Sequence, residues 1–392
     1  MAYRYHYFFL PVLLLVLGCA RQEVPEEVTL EKGDIEFRFP AGFELEDLYC
    51  PSCHEQGSWV AMAEDDRGRL YVSDQHGDLY RFAIPAVGDT LDSLQVTPLD
   101  LDIGHAQGLL WAFNSLYVSV NRKDSTGIHS SGVYRLRDTD QDERLDDIRQ
   151  LVQLEGQGEH GPHSLVLAPD GRSIYFIAGN HTDIPPSFGS RLPKNWGEDN
   201  LFSAYRDARG HAARVEPPGG WIARFDPEGT DWEVIAAGFR NPYDLAFNRE
   251  GELFTFDSDM EWDLGMPWYR PIRVCHVSSG ADFGWRTGSG KWPVYYPDNL
   301  PPVVGLRQGS PTGVLMGKDL TFPASYQDGL FVLDWSFGTI YFVDLQPEGS
   351  TYHGETSEFL AGTPLPVTDA IAGKDGAMYF LTGGRRLGSH LY

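Results

Sequence analysis

Six times along this chain a Gly- or Asn-centred turn is followed by a β-rich run, a polar interruption and a second β-rich run. The units read RGRLYVSDQHGDLYRF, NSLYVSVNRK…SGVYRL, DGRSIYFIAGN…GWIARF, EGELFTFDSDM…PIRVCHV, DGLFVLDWSFGTIYFV and DGAMYFLTGGRRLGSHLY. A further apolar run precedes each turn: WVAMAEDD, GLLWAFN, SLVLAPD, DLAFNRE, GVLMGKD and DAIAGKD. Short strand signals separated by Gly/Asp turns, without helical periodicity, predict an all-β fold. A unit of about 60 residues, repeated six times, predicts a six-bladed β-propeller of four-stranded blades. A two-sheet sandwich does not explain the sixfold recurrence.

In a propeller the innermost strand of each blade runs along a central channel, and the six loops leading into those strands converge on one mouth. Here they read CHEQGS, GHAQG, GEHGPHS, GFRNPYD, RQGSPT and PLPVTD. They bring His54, Gln56, His105, Gln107, His160, His163, Arg240, Asn241, Gln308 and Asp369 toward a common site. Imidazole, guanidinium and amide groups at loops borne on a rigid scaffold point to binding or catalysis.

The propeller is expected over 36–392, with an insertion at about 182–221 beside the His160 unit that reads as a lid or as surface packing. Residues 1–18 have the short apolar stretch of a cleaved signal peptide. The sequence LGC ending at Cys19 resembles a bacterial lipobox, which implies lipidation of Cys19. Residues 19–35 follow as an acidic tether. The expectation is an exported, cell-envelope protein held to a membrane by a lipid anchor only. A net charge of −25 makes nucleic acid a poor partner.

Cys50, Cys53 and His54 form C-x-x-C-H, the attachment signature of a c-type haem. The flanking segments are strand-like and leave no room for haem-wrapping helices. A Cys50–Cys53 disulfide or thiol pair is therefore preferred, with covalent haem as the alternative. With so few cysteines left after Cys19, the chain is no disulfide scaffold.

GEHGPHSLVLAPDGRSIYFIAGN followed by GFRNPYDLAFNREGELFTFD resembles the soluble glucose/sorbosone dehydrogenase family. Those are six-bladed propellers that oxidise sugars with pyrroloquinoline quinone (PQQ) and calcium. DMEWDLGMPWYRPIRVCHVSSGADFGWR and RDARGHAARVEPPGGWI are closer still to a bacterial branch of membrane-bound dehydrogenases. The resemblance implies that His160 is the general base, and that Arg240 polarises the developing oxyanion while binding the quinone with Asn241. It implies that Gln107 also touches the cofactor. Where the family has a cofactor-binding G-D-Q-G, this chain has GNHT, leaving Asn180 and His181. Lys318, Arg385 and Arg386 are the candidates for the late basic residues that hold the cofactor's carboxylates. A carbohydrate substrate and a cytochrome or quinone electron acceptor follow from the same resemblance.

Two acidic stretches suit calcium. In DSDMEWD, Asp257, Asp259, Glu261 and Asp263 alternate, which on a strand places all four on one face. In DTDQDERLD, Asp138, Asp140, Asp142 and Asp146 follow part of a calcium loop, but Glu143 stands where a glycine makes the sharp turn. The two functional readings are a PQQ- and calcium-dependent sugar oxidoreductase, and a non-catalytic propeller lipoprotein that binds a glycan or protein partner.

Overall fold

A computed structural model of the chain describes residues 26–122, 130–196, 215–258, 270–286, 290–291, 293–297 and 299–392. The six sequence units are six antiparallel blades. Each begins with an inner strand: Trp59–Glu64, Ala106–Ala112, Pro162–Leu167, Leu245–Phe247, Pro311–Met316 and Val367–Ala372. Each inner strand contacts the next, and the sixth contacts the first, so the sheets close into a ring. The chain is an all-β, six-bladed propeller.

Blades 1, 2 and 4 hold four strands each. The hairpin Glu27–Lys32/Ile35–Pro40 extends blade 5 outward by pairing with its long outer strand Thr351–Thr363. In blade 6, Met378–Thr382 pairs with His390–Leu391, and Tyr49 bridges Leu391 from the segment just before blade 1. The ring is thus closed by early and late chain segments together.

Alternation along each strand sends apolar side chains into the seams between blades. Six hydrophobic clusters result, one per seam. In the seam between blades 2 and 3, Trp232 stacks on Phe225 at 4.0 Å and on Phe188 at 4.8 Å. Phe188 belongs to the insertion. The described part of that insertion runs down the outer edge of blade 3, where Gly189–Ser190 pairs with Glu233–Val234. It packs on the blade, as Ile184, Phe188, Leu192 and Trp196 join the apolar cluster.

Most inner strands carry a register shift in their first residues, as between Trp59 and Ala61, Ala106 and Gly108, or Val367 and Asp369. Such bulges re-aim side chains where the strand meets a site.

Cys50 and Cys53 are joined in a disulfide. Both sulfurs that haem thioethers would need are therefore taken, which corrects the haem alternative for this state of the protein. The bridged loop lies at the seam of blades 6 and 1. There Tyr49 stacks on His54 at 5.2 Å, and its hydroxyl donates to Gln56 Oε1 at 2.7 Å.

Candidate functional site

One device recurs on the mouth face. The last residue of a blade's second strand accepts hydrogen bonds from the loop leading into that blade's inner strand. Asp74 accepts from Ser58 N at 2.8 Å, and Asp334 from Ser310 N at 2.9 Å. Asp257 Oδ1 accepts from both Arg240 N and Asn241 N at 3.0 Å. Short polar side chains suit this task because they satisfy loop N–H groups locally. In blade 3 a nearby residue, Asn180, bonds an imidazole instead: its Oδ1 lies 2.5 Å from His160 Nδ1.

That contact defines the chemistry of His160. An amide oxygen can only accept, so Nδ1 carries a proton, and in the neutral ring the lone pair lies on Nε2. The ring is buried and stacks on His181 at 4.6 Å. Gly179 lets this happen, since a Cβ there would collide with the His160 backbone and Asn241 Oδ1.

Arg240 is buried, and its Nη1 donates to Ser258 Oγ at 2.9 Å. Asn241 is held at both ends: Nδ2 donates to Glu159 O at 3.1 Å, and Oδ1 lies 2.8 Å from His163 Nε2. Burial pushes His163 down to about 4, against the Asn241 hydrogen bond, so it is a neutral donor here. His163 also stacks on Tyr243 at 4.2 Å. Tyr243 donates to Gln107 Oε1 at 3.2 Å, while Gln107 Nε2 donates to the Gln75 and Ala106 carbonyls. The structure therefore brings His160, Asn180, His181, Arg240, Asn241, His163 and Gln107 into one network.

Other predicted residues stand elsewhere. His54 and Gln56 face Tyr49 at the blade 6–1 seam, as described above. Asp257 is fully buried with both oxygens taken, Oδ2 by Arg273 Nη2 at 3.1 Å. Its acidic neighbours Asp259, Glu261 and Asp263, like Cys19, lie outside the described residues. Asp138, Asp140 and Asp142 come together with ligand atoms within 4.8 Å of one another, whereas Asp146 is turned to Thr139. Glu143 adopts φ 71° without being a glycine, and its carboxylate is held by Arg67 and Arg69. This hairpin is on the face opposite the mouth. Lys318 also faces away from the mouth, lining the lower end of the central channel. Arg385 and Arg386 remain at the mouth, on the blade 6 loop.

Below Gln107 and Tyr243 the channel widens to a cavity of about 620 Å³. Asp244 and Asp369 line it, a pair that sequence reading had not joined. Each carboxylate clips one inner strand to the next: Asp244 Oδ2 accepts from Val314 N at 2.8 Å, and Asp369 Oδ2 from Met62 N at 2.7 Å. Gly313 stands at the equivalent position of the blade between them, where a Cβ would press on Asp369 and Ala370. Burial first, then the Asp244 charge, pushes Asp369 up to about 8; burial raises Asp244 to about 6.

Folding thus favours protonated Asp369. That contribution is complete below about pH 4, where the unfolded carboxyl is also protonated, and is lost as pH rises through about 8. The unfolding midpoint should fall between about pH 5 and about pH 9, and an infrared carboxylic-acid band at neutral pH should vanish in Asp369→Ala. A midpoint that rises over that range, with no such band, contradicts the assignment.

No protein-family model and no curated protein matches the sequence. Solved structures do match. An oxidoreductase (glucose dehydrogenase) from Thermus thermophilus is 18% identical, covers 89% of this chain and 99% of its own, and superposes with a TM-score of 0.61. The soluble aldose sugar dehydrogenase of Escherichia coli, in its apo form, is 16% identical over 91% of this chain and 98% of its own, with a TM-score of 0.60. The chain has the fold of the sugar dehydrogenases. The PQQ-bound aldose sugar dehydrogenase of Streptomyces coelicolor, 13% identical, shares it over 92% of this chain and 98% of its own, with a TM-score of 0.58. At these identities the likeness establishes architecture, and the chemistry rests on the residues of the mouth.

Those residues can be tested against a flat polyanion such as PQQ. Asn180 Nδ2 is a buried donor without a partner among the described residues. Buried amide atoms of this kind are costly unless something fills their positions. The same face carries Arg240, Arg385 and Arg386, whose guanidinium groups suit carboxylates. The donor set fits such a ligand.

Proposed function

We propose that the protein is an oxidoreductase that oxidises a sugar or a related alcohol or aldehyde, with PQQ held in the mouth. The observation that carries this reading is His160, buried in the mouth with its tautomer set by Asn180. The structural neighbours named as glucose and aldose sugar dehydrogenases support it. PQQ supplies an electron-poor quinone able to take two electrons from a substrate C–H bond. His160 Nε2 takes the proton of the substrate hydroxyl, for which a neutral imidazole is suited near physiological pH. Arg240 stabilises negative charge that develops on oxygen, and Ser258 holds its fork in place. Asn180 and His181 orient the base, and Arg385 and Arg386 bind carboxylates.

Calcium enters this proposal at two places. Asp138, Asp140 and Asp142 would hold a structural ion far from the mouth, and Asp259, Glu261 and Asp263 would serve a second ion. The protein is exported and lipid-anchored through Cys19, and passes electrons to a cytochrome or quinone.

A second reading is a lipoprotein whose mouth binds a glycan or protein partner without turnover. It is favoured by Gln107 and Asn241, whose amide groups are both satisfied within the protein. A panel of aldoses and alcohols with an artificial electron acceptor separates the two. Dye reduction that requires added PQQ supports the enzyme. Glycan retention without dye reduction supports the binding protein.

A further inference from the structure

In the turn Gly158–His160, His160 is buried while its neighbour Glu159 is exposed. Across the ring, blade 6 sends Arg385 over the mouth, and the Arg385 guanidinium pairs with the Glu159 carboxylate. Blades 3 and 6 are opposite one another, so this pair spans the opening. It also joins the lead-in loops of the site, because Glu159 O accepts from Asn241 Nδ2.

Arg385 is braced from both neighbouring blades. Its guanidinium lies 5.0 Å over the Trp335 ring of blade 5, and its backbone N donates to Gln75 Oε1 of blade 1 at 2.5 Å. Trp335 Nε1 in turn donates to Gly383 O at 2.7 Å. Arg385 and Arg386 both take left-handed backbone, φ 50° and φ 64°. Two successive non-glycine residues in that region are uncommon, and such strain concentrates where a side chain must be aimed. An arginine fork aimed and stacked in this way is built to take a carboxylate. The carboxylate it holds is the protein's own.

We propose that the Glu159–Arg385 pair is a latch across the mouth, and that Arg385 exchanges Glu159 for a carboxylate of the incoming ligand. The inference rests on the reading of the mouth as an anionic-cofactor site. Both side chains are about half exposed, 57% and 52%, so the latch is cheap to open. An exposed ion pair contributes up to about 1 kcal/mol, which sets the expected gain on removing Glu159 at about two- to fivefold in affinity.

Equilibrium binding to the full chain, read by tryptophan fluorescence, tests this with two probes: PQQ and the aliphatic tricarboxylate citrate. Glu159→Gln should bind PQQ about two- to fivefold more tightly than wild type. Asp183→Asn removes an equal charge from an exposed position on the same blade, where the backbone is tied to Glu155 O, and should gain less. In an Arg385→Gln background, Glu159→Gln should add nothing beyond Asp183→Asn, since the two residues act through each other. Equal PQQ affinity in wild type and Glu159→Gln overturns the latch and leaves the cofactor reading standing. Citrate binding that follows the latch pattern, without PQQ binding, keeps the latch and sinks the cofactor reading. Binding of neither probe to Glu159→Gln overturns both.

Discussion

His160→Ala is expected to lower turnover by about 10²–10⁴-fold while leaving cofactor affinity near that of wild type. The imidazole is positioned to take a proton, and the groups proposed to hold the cofactor, Arg240, Arg385 and Arg386, stand on other blades. A residual rate would reflect binding and charge stabilisation in the mouth, which the substitution leaves in place. Asn180→Ala should act in the same direction but more weakly, because it frees the ring to rotate and to change tautomer without removing it. Turnover is read by dye reduction, and cofactor affinity separately by titration. Unchanged turnover in His160→Ala would remove it from the base role. Joint loss of turnover and binding would make it a structural residue.

Asp257→Ala is expected to destabilise the protein by about 3–5 kcal/mol. Asp257 is fully buried and is the carboxylate partner of Arg273, itself only 6% exposed. Its removal leaves a buried guanidinium without that counter-charge and strips the acceptor from Arg240 N and Asn241 N. The loop that aims the Arg240 side chain should loosen as well, so affinity for an anionic ligand should fall with stability. Denaturant unfolding measures the first effect, and added calcium should not restore it. A loss below about 1 kcal/mol would mean that the ion pair is not what fixes this loop.

The propeller was legible because its signal is repeated. Each unit pairs a turn with alternating apolar residues, and six weak signals in series are difficult to produce in another architecture. His160, Arg240 and Asn241 were legible for the same reason: they occupy equivalent lead-in positions, and equivalent positions meet at one mouth. Position in the repeat did not give direction. Gln56 stands in the loop leading into an inner strand, yet Tyr49 captures it at the closure seam, a contact made by the segment that completes blade 6. Asp257 looked like one of four alternating carboxylates. The clue to its capping role was the acid that also ends YVSD and FVLD in other units. The Glu159–Arg385 pair and the Asp244–Asp369 pair had no local signal, because each joins blades distant in sequence. The disulfide was one of three outcomes that C-x-x-C-H allowed, and the strand-like flanks had pointed to a disulfide or thiol pair rather than haem.

The most direct test of the account is a spectroscopic titration of the purified, folded protein with PQQ in the presence of calcium. A saturable shift in the quinone absorbance, weakened in Arg240→Ala and Arg385→Gln and retained in His160→Ala, is the predicted result. No shift, or a shift indifferent to both arginines, would contradict the central claim that this mouth is a cofactor site.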